Sequence, residues 1–216
     1  MKRLLTVILL VNLASWCGAV EKRAKSRYSE TDMFNKHLAL SLQLGVAIPV
    51  GDFADQTILG STFDNAEVGG GAAFQIEYFV APSFSVGLDF SGGIFEDDNF
   101  SNIDKMINNY QLFGRVVFPV PGRVFPYAKL GMGLSTITSE EELFYGTFIT
   151  DSDPGLSLAL DGGIIWRVSP RVGITGGFRY DVAFLEGVEI EDTNVELGFD
   201  PRYFSLNLGV SFYLRP

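Results

Sequence analysis

The chain has 216 residues, of which 19% are charged, and its formal net charge at pH 7 is −10. This length suits a single domain, and the acidic balance excludes nucleic acid as a partner, because such surfaces need clustered Lys and Arg. The 24 glycines, 19 phenylalanines and 8 tyrosines favour strands and tight turns over helices.

Residues 1–19 have the features of a signal peptide. A basic start precedes the apolar stretch Leu4–Leu13, and the small residues Cys17 and Ala19 predict export cleavage after Ala19. Lipoprotein processing at Cys17 is the alternative, which the bulky Trp16 before it disfavours. Cleavage after Ala19 leaves no cysteine, and therefore no disulfide.

Residues 20–35 are rich in charge and lack periodicity, so we interpret them as a flexible periplasmic leader. From there to residue 216 the sequence alternates with a period of two, which predicts strands with one apolar face and one small or polar face. The predicted strands are Leu38–Ile48, Ala72–Val80, Phe84–Ile94, Asn109–Phe118, Tyr127–Ser135, Leu156–Val168, Val172–Val182 and Tyr203–Leu214. Short connections that contain proline alternate with long ones, which indicates an up-and-down meander.

The composition of the polar face indicates which face of these strands is directed inward. It is crowded with glycine and serine, which suit the narrow lumen of an eight-stranded barrel. It also carries four acids and four bases, as expected of a buried and balanced ionic network. We predict that this structural lumen network consists of Glu77, Asp89, Arg115, Lys129, Asp161, Arg167, Arg179 and Asp181. The apolar face has no charged residue in any predicted strand, so we infer that it faces lipid.

Aromatic residues support this orientation. Several fall on the apolar face beside the short connections, where a girdle of rings at the membrane interface is expected. The predicted periplasmic-side girdle consists of Tyr78, Phe84, Phe118, Trp166 and Phe212. Phe113, which falls on the polar face, is interpreted as lumen filler.

Four segments carry a family resemblance: "GVAIPVGDF", "PYAKLGMGL", "GGFRYD" and the final "RYFSLNLGVSFYL". On these segments, residues 36–216 resemble the small outer-membrane β-barrels of the outer membrane protein A/X type. The resemblance implies an all-β, eight-stranded, antiparallel, up-and-down transmembrane barrel with a polar, filled lumen. It implies export through the periplasm to a Gram-negative-type outer membrane. The implied partners of this monomer are the barrel assembly machinery, membrane lipid and lipopolysaccharide.

The four long connections are strongly acidic. Between residues 49–71, 95–108, 136–155 and 183–202 the sequence has nineteen acids and two bases. With short turns in the periplasm, these loops lie outside the cell. One interpretation is a solvated rim that keeps the loops soluble. The other is divalent cations that bridge the loops to lipopolysaccharide, because carboxylate oxygens suit hard cations, or a surface ligand bound there.

The sequence predicts no catalytic residue, no cofactor and no dedicated metal site. We expect a non-enzymatic barrel with a structural or surface-interaction role through its acidic loops. A narrow pore for small solutes is the alternative. A hydrolase that modifies lipid A ranks third, because such chemistry needs a histidine beside a serine or carboxylate. The only histidine, His37, falls at the periplasmic end of the first strand.

Overall fold

The computed structural model describes residues 34, 37–54, 66–96, 103–143, 146–185, 188–190, 193–195 and 200–214. The predicted signal peptide, its cleavage site and nearly all of the leader lie outside the described residues. The exception is Phe34, which the sequence analysis placed in the flexible leader and which is in fact fully buried. Within the described ranges, no helix is long and apolar enough to cross a membrane.

The described residues form strands joined by turns, with a short 3-10 helix at Gly51–Phe53. The strands are β1 (Leu38–Val50), β2 (Gly69–Ala81), β3 (Phe84–Glu96), β4 (Ile103–Val117), β5 (Val124–Leu143), β6 (Gly146–Asp151), β7 (Gly155–Ser169), β8 (Val172–Phe184), β9 (Val188–Ile190), β10 (Thr193–Val195) and β11 (Arg202–Leu214).

Eight of these strands close into an antiparallel barrel in the order β1-β2-β3-β4-β5-β7-β8-β11, with β11 paired back to β1. Following paired residues once around the barrel leads from Leu40 to Val50, a stagger of ten residues along β1. With ordinary strand rise and spacing, this stagger tilts the strands by roughly 40°. The predicted eight-stranded up-and-down barrel is therefore confirmed.

β4 is longer on the loop side than the sequence predicted, whereas the extension of β5 agrees with the interpretation of Glu140–Thr150 as a continuation of the strands above the membrane. β4 begins at Ile103 and β5 continues to Leu143, where it pairs with β6 in a hairpin above the barrel. A second small hairpin joins β9 and β10. Part of what the alternation assigned to loops is thus ordered strand that extends beyond the closed barrel.

The outward face is apolar, as predicted. Leu130 is 64% exposed and Leu208 is 66% exposed, although both lie in the middle of strands. Such exposure suits a protein whose solvent is hydrocarbon, and the apolar band is about 25 Å tall once the strand tilt is considered. Two glycines on this face are covered by rings of neighbouring strands: a Cβ at Gly162 would touch Phe178, and one at Gly114 would touch Phe84.

Glycine also permits close strand contact inside the barrel. A Cβ on Gly163 would collide with the backbone of Gly176 and Gly177 on the neighbouring strand. We therefore expect Gly163→Ala to lower the free energy of unfolding by about 1–3 kcal/mol, as measured by urea unfolding from lipid vesicles. The matched control is Gly70→Ala, because a Cβ there meets nothing within 4 Å. Equal stability of the two variants would contradict this packing.

Candidate functional site

The lumen is filled in three layers, and the layer nearest the short turns is apolar. Phe34 is central to it: its ring lies 5.1 Å from Phe79, 5.3 Å from Phe125 and 5.4 Å from Tyr213, measured between centroids. The members of this turn-side cluster are Phe34, Ala39, Phe79, Val117, Phe125, Tyr127, Ile165 and Tyr213. Phe34, four residues before β1, thus packs into the turn-side mouth of the barrel.

The middle layer holds a chain of alternating charges. Lys129 Nζ lies 2.8 Å from Asp161 and 2.9 Å from Asp89. Arg179 continues the chain, with 2.9 Å to Asp89 and 2.8 Å to Asp181. The Arg179 Nε also donates to both Asp181 oxygens, at 3.0 and 2.8 Å. Each of these five buried side chains therefore forms an ion pair with at least one side chain of opposite charge.

A second ion pair joins the same layer. Arg115 Nη1 donates to the Glu77 carboxylate at 2.8 Å, and its Nη2 donates to Oε1 of the Gln75 side chain at 2.7 Å. The Gln75 amide donates in turn to Asp89 at 2.7 Å, which connects the pair to the longer chain. The Arg115 guanidinium also lies 4.9 Å from the centroid of the Tyr127 ring, a cation–π distance. We call these seven charged residues, together with Gln75, the polar layer.

The third layer, on the loop side, is apolar again. Its residues are Ala47, Phe53, Ala66, Phe95, Ile107, Ile137, Ala183, Leu185 and Tyr203. Phe53 from the short helix after β1 packs edge-on against Phe95, with ring centroids 5.1 Å apart. Phe53 and the other members of this loop-side cluster therefore cover the polar layer from the loop side.

A small cavity remains between the polar layer and this loop-side cluster. It is lined by Arg179, Asp181 and Tyr203 among others, and it has room for about one water molecule. The buried Ser91 hydroxyl, which also faces it, has no hydrogen-bond partner among the described residues. A water is therefore the occupant that fits this space best.

Seven of the eight predicted lumen charges lie in the polar layer. Phe113 is buried at the same level, with its ring centroid 5.1 Å from Lys129 Nζ. Arg167 differs, because it is only half-buried. It follows the buried Ile165 along β7, so the turn-side cluster separates it from Asp161. The layer therefore contains four carboxylates and three cations, not the predicted four of each.

Sequence reasoning missed other buried polar residues. Lys105 was assigned to an acidic loop, but it is fully buried on the inner face of the extended β4. Gln75 connects Arg115 to Asp89. Gln111 accepts from Arg179 at 3.0 Å and donates to the Ser157 hydroxyl at 3.0 Å. Continuing the period-two alternation of β4 from Asn109 back through Ile107 to Lys105 would have found the lysine.

Four members of the predicted girdle, Tyr78, Phe84, Trp166 and Phe212, are exposed outward near the turns. When the strand tilt is considered, the register places them at one level along the barrel axis. The fifth, Phe118, follows the end of β4 and is only half-exposed.

The structure places His37, the histidine that a hydrolase would need, at the turn side of the barrel. His37 is buried beside the turns, where its carbonyl oxygen accepts from the Phe79 amide at 3.0 Å. Among the described side chains, no three of His, Cys, Asp or Glu are placed to hold a metal ion.

Comparisons with known proteins agree with this architecture. The crystal structure of Neisserial surface protein A superposes with a TM-score of 0.56 at 16% identity, covering 81% of this chain and 96% of that one. The outer membrane protein OprG from Pseudomonas aeruginosa gives a TM-score of 0.52 at 11% identity, covering 85% of this chain and 99% of that one. No curated protein matches the sequence. The family model described as "Outer membrane protein beta-barrel domain" matches residues 35–212. The chain therefore belongs to the outer membrane protein beta-barrel domain family.

Proposed function

We propose that this outer-membrane barrel is a non-enzymatic scaffold whose role, structural or in surface interaction, is carried by its outer loops. The observation that carries the proposal is the filled lumen. Apolar clusters lie on both sides of an ion-paired layer, so the barrel body offers no open path or reactive centre within the described residues. The parts left to meet a partner are those above the membrane.

On the loop side, strands project beyond the closed barrel. The β5–β6 hairpin continues the barrel wall beyond the closed sheet, and β9 lies against β6. The connections on this side contain nineteen acids and two bases in the sequence. A surface of this charge repels lipopolysaccharide phosphates unless cations intervene, so we propose that divalent cations bridge the two.

Calcium is expected to stabilise the protein only when lipopolysaccharide is present. Millimolar CaCl₂ should raise the melting temperature by several degrees in nanodiscs that contain lipopolysaccharide, because carboxylate and phosphate oxygens are both ligands for this ion. Thermal unfolding followed by circular dichroism checks this.

The controls are phospholipid nanodiscs and NaCl at matched ionic strength. A variant in which a two-residue Asn-Gly turn replaces Thr138–Asp151 removes the β5–β6 hairpin and should show a smaller shift. An unchanged melting temperature in calcium, or an equal shift without lipopolysaccharide, would refute cation bridging.

A narrow solute pore is the competing function, and conductance separates the two. We expect wild-type protein in planar bilayers to show no stable conductance, because Phe34 and its aromatic neighbours fill the turn-side mouth and an eight-stranded lumen has room only for side chains. Stable channels that are abolished by Arg115→Ala or Arg179→Ala would overturn the scaffold proposal.

Modification of lipid A is the remaining alternative. His37 lies at the turn side, far along the barrel from the loops and the outer leaflet. Lipid A from cells that express the wild type should therefore have the same mass spectrum as lipid A from cells that express His37→Ala. A modification present only with the wild type would show an enzyme.

A further inference from the structure

β1 is flanked by two phenylalanines whose rings lie inside the barrel. Phe34 precedes the strand, and Phe53 follows it in the short 3-10 helix. Phe34 is 1% exposed and Phe53 is 0% exposed, although neither residue belongs to a strand of the closed barrel. Either ring can therefore leave its position without breaking a hydrogen bond between barrel strands.

Phe34 closes the turn-side mouth from its centre. Its ring contacts Phe79 of β2, Phe125 of β5 and Tyr213 of β11. β5 is separated from β2 by two strands on one side of the barrel and from β11 by two strands on the other. A single ring thus joins three separate parts of the barrel wall, and without it their rings lose their common partner.

Phe53 closes the loop-side mouth. Gly51, which starts the 3-10 helix, has a φ of 63°, in the left-handed region that glycine adopts most readily. This turn directs Phe53 back to the loop-side cluster, where its ring packs against Phe95, and Phe95 packs in turn against Tyr203 with centroids 5.5 Å apart. The Phe53 carbonyl oxygen also accepts from the Ala66 amide at 3.0 Å. The ring is thus held over the mouth by the chain that follows β1.

The polar layer separates the two mouths. Thr175 lies on its turn side, because it pairs with Ile165 of the turn-side cluster and its hydroxyl lies 3.1 Å from that of Ser211. Ser205 lies on its loop side, because it pairs with Ala47 of the loop-side cluster and lines the small cavity. Thr175 is 2% exposed and Ser205 is 5% exposed. These two side chains therefore report on the two halves of the lumen.

We propose that Phe34 and Phe53 are reversible stoppers, and that each one controls the access of water and small polar solutes to the half of the lumen on its own side. Release of either ring opens a dead-end vestibule and not a pore, because the ion pairs of the polar layer stay in place. Segments outside the core strands open locally at a lower free energy than global unfolding requires. The inference goes beyond the scaffold role, which does not require either ring to move.

Thiol labelling in nanodiscs, which leave both ends of the barrel in water, tests the stoppers. Thr175→Cys and Ser205→Cys are made separately in a Cys17→Ser background, which removes the native cysteine. Reaction with a small water-soluble methanethiosulfonate is followed by mass spectrometry. Phe34→Ala should speed labelling of Thr175→Cys by about tenfold and leave that of Ser205→Cys unchanged, because access follows the population of the open state. Phe53→Ala should have the opposite pattern.

The matched control is Phe74→Ala, which removes a ring that is 42% exposed on the lipid-facing surface and should change neither rate. Acceleration of both thiols by one stopper variant, or of neither thiol, would overturn the proposal. If the alanine variants do not refold, Phe34→Leu and Phe53→Leu keep an apolar side chain but lose the ring contacts. Each should speed labelling on its own side alone by about threefold, and an unchanged rate would count equally against the stoppers.

Conductance tests the separation of the two vestibules. The double variant Phe34→Ala/Phe53→Ala should show no stable conductance in planar bilayers, because the polar layer still fills the middle of the lumen. A stable conductance in the double variant would show that the two halves communicate, and the proposal of side-specific stoppers would be wrong.

Discussion

Arg179→Met is expected to lower the free energy of unfolding by about 3–5 kcal/mol. Arg179 is 3% exposed and pairs with both Asp89 and Asp181. Methionine fills similar space but leaves Asp181 without its cation, while Asp89 keeps only Lys129. The uncompensated charge of Asp181 in this closed layer destabilises the folded protein far more than the loss of van der Waals contacts of Arg179 does. Urea unfolding from vesicles of defined lipid, followed by Trp166 fluorescence, measures the change.

Two variants separate charge pairing from packing. Arg179→Met combined with Asp181→Leu removes the orphaned carboxylate, so it should recover much of the lost stability. Arg202→Met removes an exposed ion pair at the loop end and should change stability by less than about 1 kcal/mol. If Arg179→Met is as mild as Arg202→Met, the polar layer does not hold the lumen together.

Leu208→Arg is expected to cost about 2–4 kcal/mol when the protein unfolds from a bilayer. Leu208 is 66% exposed on β11, and its level along the tilted barrel is near the middle of the apolar band. A guanidinium there must leave water for hydrocarbon. The same unfolding assay measures the cost, with vesicles of one lipid so that membrane thickness is fixed.

Val168→Arg provides the depth control. Val168 is 48% exposed and points outward one residue before the end of β7, at the turn side. An arginine there reaches the headgroups, so its cost should be only about 0–1 kcal/mol. Equal costs at the two positions, or a stable Leu208→Arg variant in bilayers, would contradict a lipid-facing outer surface.

The alternation of side chains predicted which face of each strand meets lipid, because that property depends only on period two. It did not predict depth, that is, the level of each side chain along the barrel axis. Along β4 the inward residues run from Lys105 through Ile107 and Phe113 to Val117, and they occupy three different layers. Depth depends on the ten-residue stagger of the whole barrel, which no single strand reveals.

The same stagger explains why Arg167 was misplaced. Arg167 shares a face with Asp161, but the intervening Ile165 belongs to the turn-side cluster. Lys105 was assigned to a loop because the less regular pattern of β4 hid its first residues. Phe34 was missed because a single aromatic residue before a strand has no periodic signal, and its burial depends on rings from three distant strands.

The direction in which the outward leucines of the strands point distinguishes a membrane barrel from a soluble one. Nitroxide labels at Leu130→Cys and Leu208→Cys, compared with an inward label at Thr175→Cys, test it by power saturation in nanodiscs. We predict that the two leucine positions are relaxed strongly by oxygen and weakly by a water-soluble nickel chelate, while the inward label is shielded from both. A folded protein in detergent-free buffer whose labels at Leu130 and Leu208 are shielded from oxygen and chelate alike would show a soluble barrel with an apolar core.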